Sequence, residues 1–240
     1  MEKQNQVENF YDNFNLNRKG VYRNLRHYKI INLLFNEGLN RKSNVLEIGC
    51  GSGPISIVIA NYLKKGYFLG MDISPASIKF LNELFKNKAN VDFVSKDINE
   101  FYTDKKFDII LMADVLEHIP IETHEKTIEK LSGNCKEGGK LIINIPNREF
   151  INWQRQNEPE ILQIIDQPLS SSHVCSIANK FNFVLQYAEK HKLFHETKDY
   201  EIFIFKKQTV LPLFKKRVKI KIIIIKQFYR LLLNFKLFIK

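Results

Sequence analysis

The stretch Val45-Leu46-Glu47-Ile48-Gly49-Cys50-Gly51-Ser52-Gly53 constrains this chain more than any other. An apolar run gives way at once to three alternating glycines, and Pro54 to Leu63 then follow a helix-like pattern. Strand, tight turn and helix start, in that order, are how α/β folds hold a nucleotide-like ligand at the carboxyl ends of their strands. Glycine suits such a turn because the ligand comes close to the backbone, where a Cβ would collide with it. The spacing is G-x-G-x-G, and Pro54 stands where a dinucleotide-binding G-x-G-x-x-G turn needs its last glycine. Glu47 argues against a pyrophosphate as well, because a carboxylate beside the phosphate path would repel it. It suits a ligand that carries an ammonium or a sulfonium.

The rest of the chain repeats the alternation of strand and helix. Residues 7–37 place apolar or aromatic side chains at helical spacing, and Gly38 is a natural stop. Tyr67 to Asp72 reads as a second buried strand ending in an acid, and Ser74-Pro75 as the start of the next helix. Val91 to Val94, Phe107 to Met112 and Leu141 to Ile145 read as strands three to five. Glu122 to Leu131 reads as a helix, and Gly138-Gly139 as a turn. Phe181 to Tyr187 and Tyr200 to Lys206 alternate as a closing antiparallel hairpin would. These features predict an α/β fold: a doubly wound, mostly parallel sheet with both faces covered. Residues 146–180 are the least regular part, and such a segment after a parallel strand lies where a ligand would sit.

Three acids fall at three successive strand ends. Glu47 precedes the glycines, Asp72 lies 19 residues past Gly53, and Asp97 follows the third strand. An acid about 20 residues past such a turn reads ribose hydroxyls in related sheets. Each residue also has a plainer reading: Asp72 as the cap of a turn, and Asp97 as the start of a D-x-x-E capping box.

VLEIGCGSG resembles motif I of the class I S-adenosylmethionine-dependent methyltransferases. The resemblance is strong over about residues 40–147 and implies a seven-stranded sheet with S-adenosylmethionine as cofactor. It implies contacts to that cofactor from Glu47, Gly49, Cys50, Gly51, Gly53, Asp72, Ile73, Asp97, Ile98 and Asp114. Ala113-Asp114-Val115-Leu116-Glu117-His118-Ile119 resembles the D-V-L-E-H-I/V segment of the subgroup that methylates small molecules. The Asn/Asp-Pro-Pro-aromatic segment of amino-methylating nucleic-acid enzymes is missing there. Residues 1–38 would then be an N-terminal helical lid, 39–208 the catalytic domain, and 146–180 a substrate-side insertion. His118 is the candidate base for an oxygen acceptor, since imidazole titrates near neutrality. A helix-start histidine bonded to backbone is the alternative, and His27 and His173 are weaker candidates.

Charge adds one more feature. The net charge is +11, and nine cations with no anion fall between Thr209 and Lys240, which leaves +2 for residues 1–208. The body is nearly neutral. The tail alternates cations with apolar residues, which suits an anionic membrane surface better than nucleic acid. Cys50, Cys135 and Cys175 have no paired spacing, so neither a zinc site nor a disulfide framework is indicated, and a cytoplasmic setting fits. With no signal-peptide core and no run of 18 apolar residues, the expected location is the cytoplasm, peripheral on the inner face of the membrane.

Overall fold

A computed structural model describes residues 22–208, which lie in the first of two units into which the chain divides, Met1–Thr209. The basic tail and the first part of the expected N-terminal helix fall outside the described residues. The elements run α1 (Leu25–Asn36), β1 (Val45–Ile48), α2 (Ser56–Tyr62), β2 (Phe68–Asp72), α3 (Pro75–Phe85), β3 (Val91–Ser95) and β4 (Phe107–Ala113). They continue through α4 (His124–Asn134), β5 (Cys135–Pro146), α5 (Arg148–Asn157), α6 (Ser171–Lys180), β6 (Phe183–His191) and β7 (Tyr200–Lys207). The seven strands are ordered β3-β2-β1-β4-β5-β7-β6, and only β7 runs against its neighbours.

Local chemistry explains the helix starts. Asn24 and His27 form a reciprocal capping box at the head of α1. Ser74 accepts the Ser77 N–H, with Pro75 in the first turn of α3. Gly38, at φ +98°, closes α1 through Gly38 N–H to Phe35 O and Leu39 N–H to Leu34 O.

Two apolar layers cover the sheet. Ile30, Ile31 and Leu34 of α1, Ile59 of α2 and Leu81 of α3 pack with Val45, Ile109, Leu111 and Ile142 on one face. Ile128 and Leu131 of α4 and Val174 and Ile177 of α6 pack with Leu46, Ile48, Met112 and Ile143 on the other. Each such side chain stabilises the fold by about 1.5–3 kcal/mol when fully buried, which holds the strand ends in fixed positions.

Two expectations need correction. Gly138, at φ +75°, and Gly139 turn the chain inside β5 rather than ahead of it, in a bulge where the step from Cys135 to Lys140 faces only the step from Phe107 to Ile109 on β4. Residues 146–180 are more regular than expected at their two ends, where α5 and α6 lie, while 158–170 hold only the short turn Pro159–Ile161. Strand order reverses between β1 and β4, so the glycine turn after β1 and the turn after β4 flank the point where α/β sheets place ligands. Among the described residues, no helix is long and apolar enough to cross a membrane.

Candidate active site

The glycine turn is held in a conformation that other residues resist. Gly49, Gly51 and Gly53 have φ of +71°, +50° and +85°. A Cβ on Gly49 would stand 2.3 Å from Val115 Cγ2, and one on Gly53 would stand 2.5 Å from Leu81 Cδ2. The turn after β4 and helix α3 therefore press on the glycine turn, which explains why these positions take no side chain.

Asp72, at the end of β2, fastens this turn. Its Oδ2 accepts the Gly51 N–H at 2.7 Å, and its Oδ1 accepts the Ser74 N–H at 2.9 Å. A carboxylate has about four acceptor positions, so two such bonds leave room for ribose hydroxyls on the same oxygens. Glu47 is buried and accepts the Ser56 hydroxyl at 2.6 Å. Burial pushes its carboxyl up to about 8, with Ser56 opposing and Asp72 adding to the rise. A cation arriving beside it would restore the ionised form.

The remaining sequence-predicted residues divide by what their side chains do. Cys50 and Ile98 are buried in the two apolar layers, so the backbone is what they offer to a ligand. Ile73 is half-buried beside Asp72, and its carbonyl accepts the Ser95 hydroxyl at 3.3 Å. Asp97 starts a tight turn rather than a helix, its Oδ1 accepting the Asn99 N–H at 2.7 Å.

Asp114 stands apart from the glycine turn group. Its φ is +55°, a conformation rarely held by a residue other than glycine or asparagine. Its Oδ2 lies 2.8 Å from Arg26 Nε of α1, and Arg26 also donates to the Tyr200 hydroxyl at 2.8 Å. Burial raises the Asp114 carboxyl, while Arg26 and His118 oppose that rise. Its neighbours are thus Arg26 of α1, Tyr200 of β7 and His118 of its own turn. Glu117 is fully buried, and neither of its carboxylate oxygens has a hydrogen-bond partner. Nor does either side-chain atom of buried Asn144, on β5 beside Ala113.

His118 takes the backbone-bonded alternative. Its Nδ1 lies 2.6 Å from the Ile165 carbonyl and 3.1 Å from Asp166 Oδ1, and its Nε2 lies 3.8 Å from Glu117 Oε1. Burial alone would lower its pKa, but Glu117, Asp166 and the Ile165 carbonyl outweigh it and raise the ring to about 9. The acids around the ring favour its protonated form, which would have to lose a proton before the ring could serve as a base. His27 caps α1, and His173 bonds His124 at 3.0 Å on α4, so neither stands free as a base.

Sequence reasoning missed Arg26, Tyr200, Asp166 and Asn144. Arg26 and Tyr200 are 174 residues apart, and no local pattern joins them. Glu117 lies inside the segment Ala113–Ile119, and its spacing from Asp114 is the one local signal for it.

A methyltransferase domain family model matches residues 39–216 of this chain. The ubiquinone biosynthesis O-methyltransferase of Coxiella burnetii is 31% identical over 109 residues, 45% of each chain. A malonyl-[acyl-carrier protein] O-methyltransferase of Ilyobacter polytropus is 29% identical over 111 residues, 46% of this chain and 42% of the relative. The chain therefore spans less than half the length of these curated relatives. Among solved structures, magnesium protoporphyrin IX methyltransferase from Synechocystis, with bound S-adenosylhomocysteine, superposes with a TM-score of 0.67 at 16% identity, over 85% of this chain and 100% of that one. The left-handed glycine turn, the acids at the strand ends, the strand order and the family match agree: the chain belongs to the methyltransferase domain family and has the fold of class I S-adenosylmethionine-dependent methyltransferases.

Proposed function

We propose that this chain transfers the methyl group of S-adenosylmethionine to a hydroxyl oxygen of a small-molecule acceptor. The observation that carries the reading is the glycine turn, held open by three left-handed glycines and fastened by Asp72 at the end of β2. Glu47 answers the cofactor's ammonium, Asp72 its ribose hydroxyls and Asp97 its adenine amino group. The backbone of Gly49, Cys50, Gly51 and Gly53 lies along the amino-acid part, and Ile73 and Ile98 flank the base.

Methyl transfer is an in-line displacement, and much of its acceleration comes from aligning the nucleophile with the methyl carbon. The turn after β4 forms the acceptor wall, and His118 fixes it by clasping Ile165 and Asp166. His118 is thus a positioning residue here. Two relatives that are O-methyltransferases favour an oxygen acceptor, although each shares less than half its length with this chain.

The basic segment 209–240 supports a lipid-linked, quinone or surface-saccharide acceptor reached at an anionic membrane. Anionic lipid contributes about 1 kcal/mol per basic residue near its surface. Two experiments test these readings. Labelled methyl donor, incubated with the full chain and a lysate separated into lipid, saccharide and RNA fractions, should label the lipid or saccharide fraction; label confined to RNA would refute the acceptor class. The full chain should also co-sediment with phosphatidylserine vesicles and far less with phosphatidylcholine ones. A variant with the nine tail cations replaced by glutamine should lose that preference, and unchanged sedimentation would rule the tail out as an anchor.

A further inference from the structure

We infer that Glu117 receives the acceptor's proton, and that Asn144 and Asp114 hold the acceptor's reacting hydroxyl against it beneath α1. This rests on the proposed O-methyl transfer. Three observations place the group. Val115 packs on Gly49, so Glu117, two residues on, lies at the cofactor's edge of the turn. Glu117 is fully buried with both oxygens lacking a hydrogen-bond partner, a state folded chains seldom tolerate without a ligand to complete it.

The third observation is independent of the acids. Asn144 is 1% exposed, and both its amide atoms lack partners. Its neighbours Ile143 and Ile145 face the α4–α6 layer, so by strand alternation Asn144 faces the α1 side, beside Asp114, whose N–H donates to the Asn144 carbonyl. An unfilled amide donor and acceptor at the end of β5 and unfilled carboxylate oxygens on the adjoining turn after β4 match a hydroxyl, which both gives and takes a hydrogen bond.

The groups facing Glu117 are Asp114 and His118 of its own turn, Asp166 ahead of α6, Arg26 of α1 and Tyr200 of β7. Burial pushes its carboxyl well above the ordinary carboxylate range, with His118 opposing and Asp114 and Asp166 adding to the rise. In the step, a hydroxyl oxygen lone pair forms the O–CH3 bond and the S–CH3 bond breaks with its electrons kept on sulfur. The hydroxyl proton passes to the Glu117 carboxylate and from there to solvent. In the described arrangement α1 covers this cluster through Arg26, so acceptor entry goes with withdrawal of Arg26 from Asp114.

The test uses the full chain at saturating S-adenosylmethionine, with simple phenols and primary amines as probe acceptors and S-adenosylhomocysteine binding as the control for the underlying reading. The expected result is phenol methylation whose turnover rises with pH to a plateau, following ionisation of Glu117. E117Q should bind S-adenosylhomocysteine within a few-fold of wild type, turn over at least about 100-fold more slowly and lose that pH dependence. H118Q should keep a rise with pH but displaced to higher pH, because the imidazolium that opposes the Glu117 shift is gone. Turnover of E117Q within a few-fold of wild type, or methylation of amines alone, overturns the assignment. If wild type binds S-adenosylhomocysteine yet methylates no probe, infrared difference spectra decide. A protonated carboxyl band that is absent in E117Q and shifts on phenol binding supports the role, and a band indifferent to phenol overturns it. Failure of wild type to bind S-adenosylhomocysteine refutes instead the methyltransferase reading on which this one stands.

Discussion

The two sides of the sheet's reversal point are finished to different degrees. On the β1–β3 side each acid has a hydrogen-bond partner within the fold: Glu47 takes Ser56 O–H, Asp72 takes two backbone N–H groups, and Asp97 takes the Asn99 N–H. On the β4–β7 side, the Glu117 carboxylate and the Asn144 side-chain amide have no hydrogen-bond partner, and Asp114 keeps one unpartnered oxygen beside its ion pair with Arg26. The first side is a preorganised socket, whose cost was met in folding. The second is a set of groups whose hydrogen bonds a ligand can complete, and that is where specificity between acceptors can reside.

The largest expected effect comes from breaking the socket where the two sides touch. Gly49→Ala adds a Cβ 2.3 Å from Val115 Cγ2 at a residue with φ +71°. Overpacking of about 1–3 kcal/mol and a left-handed penalty of about 1–2 kcal/mol make the turn shift. S-adenosylhomocysteine affinity should fall about 100- to 1,000-fold by calorimetry. Val115→Ala in the same background should recover part of it, since only the steric share is relieved; no recovery would mean the two turns are not coupled by that contact.

Arg26→Met tests the other side and should leave cofactor affinity within a few-fold. It removes the partner of a largely buried Asp114, and denaturant unfolding near pH 7 should report a loss of about 3 kcal/mol. Because the folded-state pKa of Asp114 is raised, and rises further without Arg26, the uncharged form suits the fold. The variant's deficit should therefore shrink as pH falls toward the unfolded carboxylate value and grow as pH rises through the folded one. A pH-independent deficit would mean lost packing alone.

Asp72→Asn is expected to be milder. An amide keeps one acceptor but presents an N–H2 to the second backbone N–H, so affinity for S-adenosylhomocysteine should drop about tenfold, with the fold intact. Unchanged affinity would separate the fastening of the turn from cofactor binding.

His118→Gln should have the smallest effect and the most telling pH dependence. The ring's pKa is raised from 6.5 to about 9 in the folded chain. Its contribution is fully present below the unfolded value and disappears as pH rises through the folded value. The variant should be less stable than wild type at pH 6 and close to it above pH 9. A deficit that persists at high pH would place the role of His118 in packing.

The sequence made the socket legible because its geometry is local. Three glycines in five residues announce the turn, and the acids stand at strand ends that alternation locates. The acceptor side was hard to read for two physical reasons. Its contacts join distant segments, as Arg26 joins Tyr200 and His118 joins Asp166. Its helices carry weak periodicity: of α5 only Ile151 and Gln154 are buried. Their starts were nonetheless marked, since Asn147 caps α5 through the Phe150 N–H and Ser170 caps α6 through the His173 N–H. Gly138 and Gly139 announced a turn but not its place inside β5, because a β-bulge takes glycine as readily as a connecting turn does. The setting of His118 was equally hidden, because an unperturbed imidazole pKa says nothing about the acids that the fold brings to it.

The most direct measurement of the central claim is calorimetric titration of the full chain with S-adenosylhomocysteine and, separately, with NAD. Saturable one-to-one binding of S-adenosylhomocysteine, none of NAD, and loss of the former in Gly49→Ala are the expected results. Binding of NAD, or no binding of S-adenosylhomocysteine by a folded wild-type chain, would contradict the account.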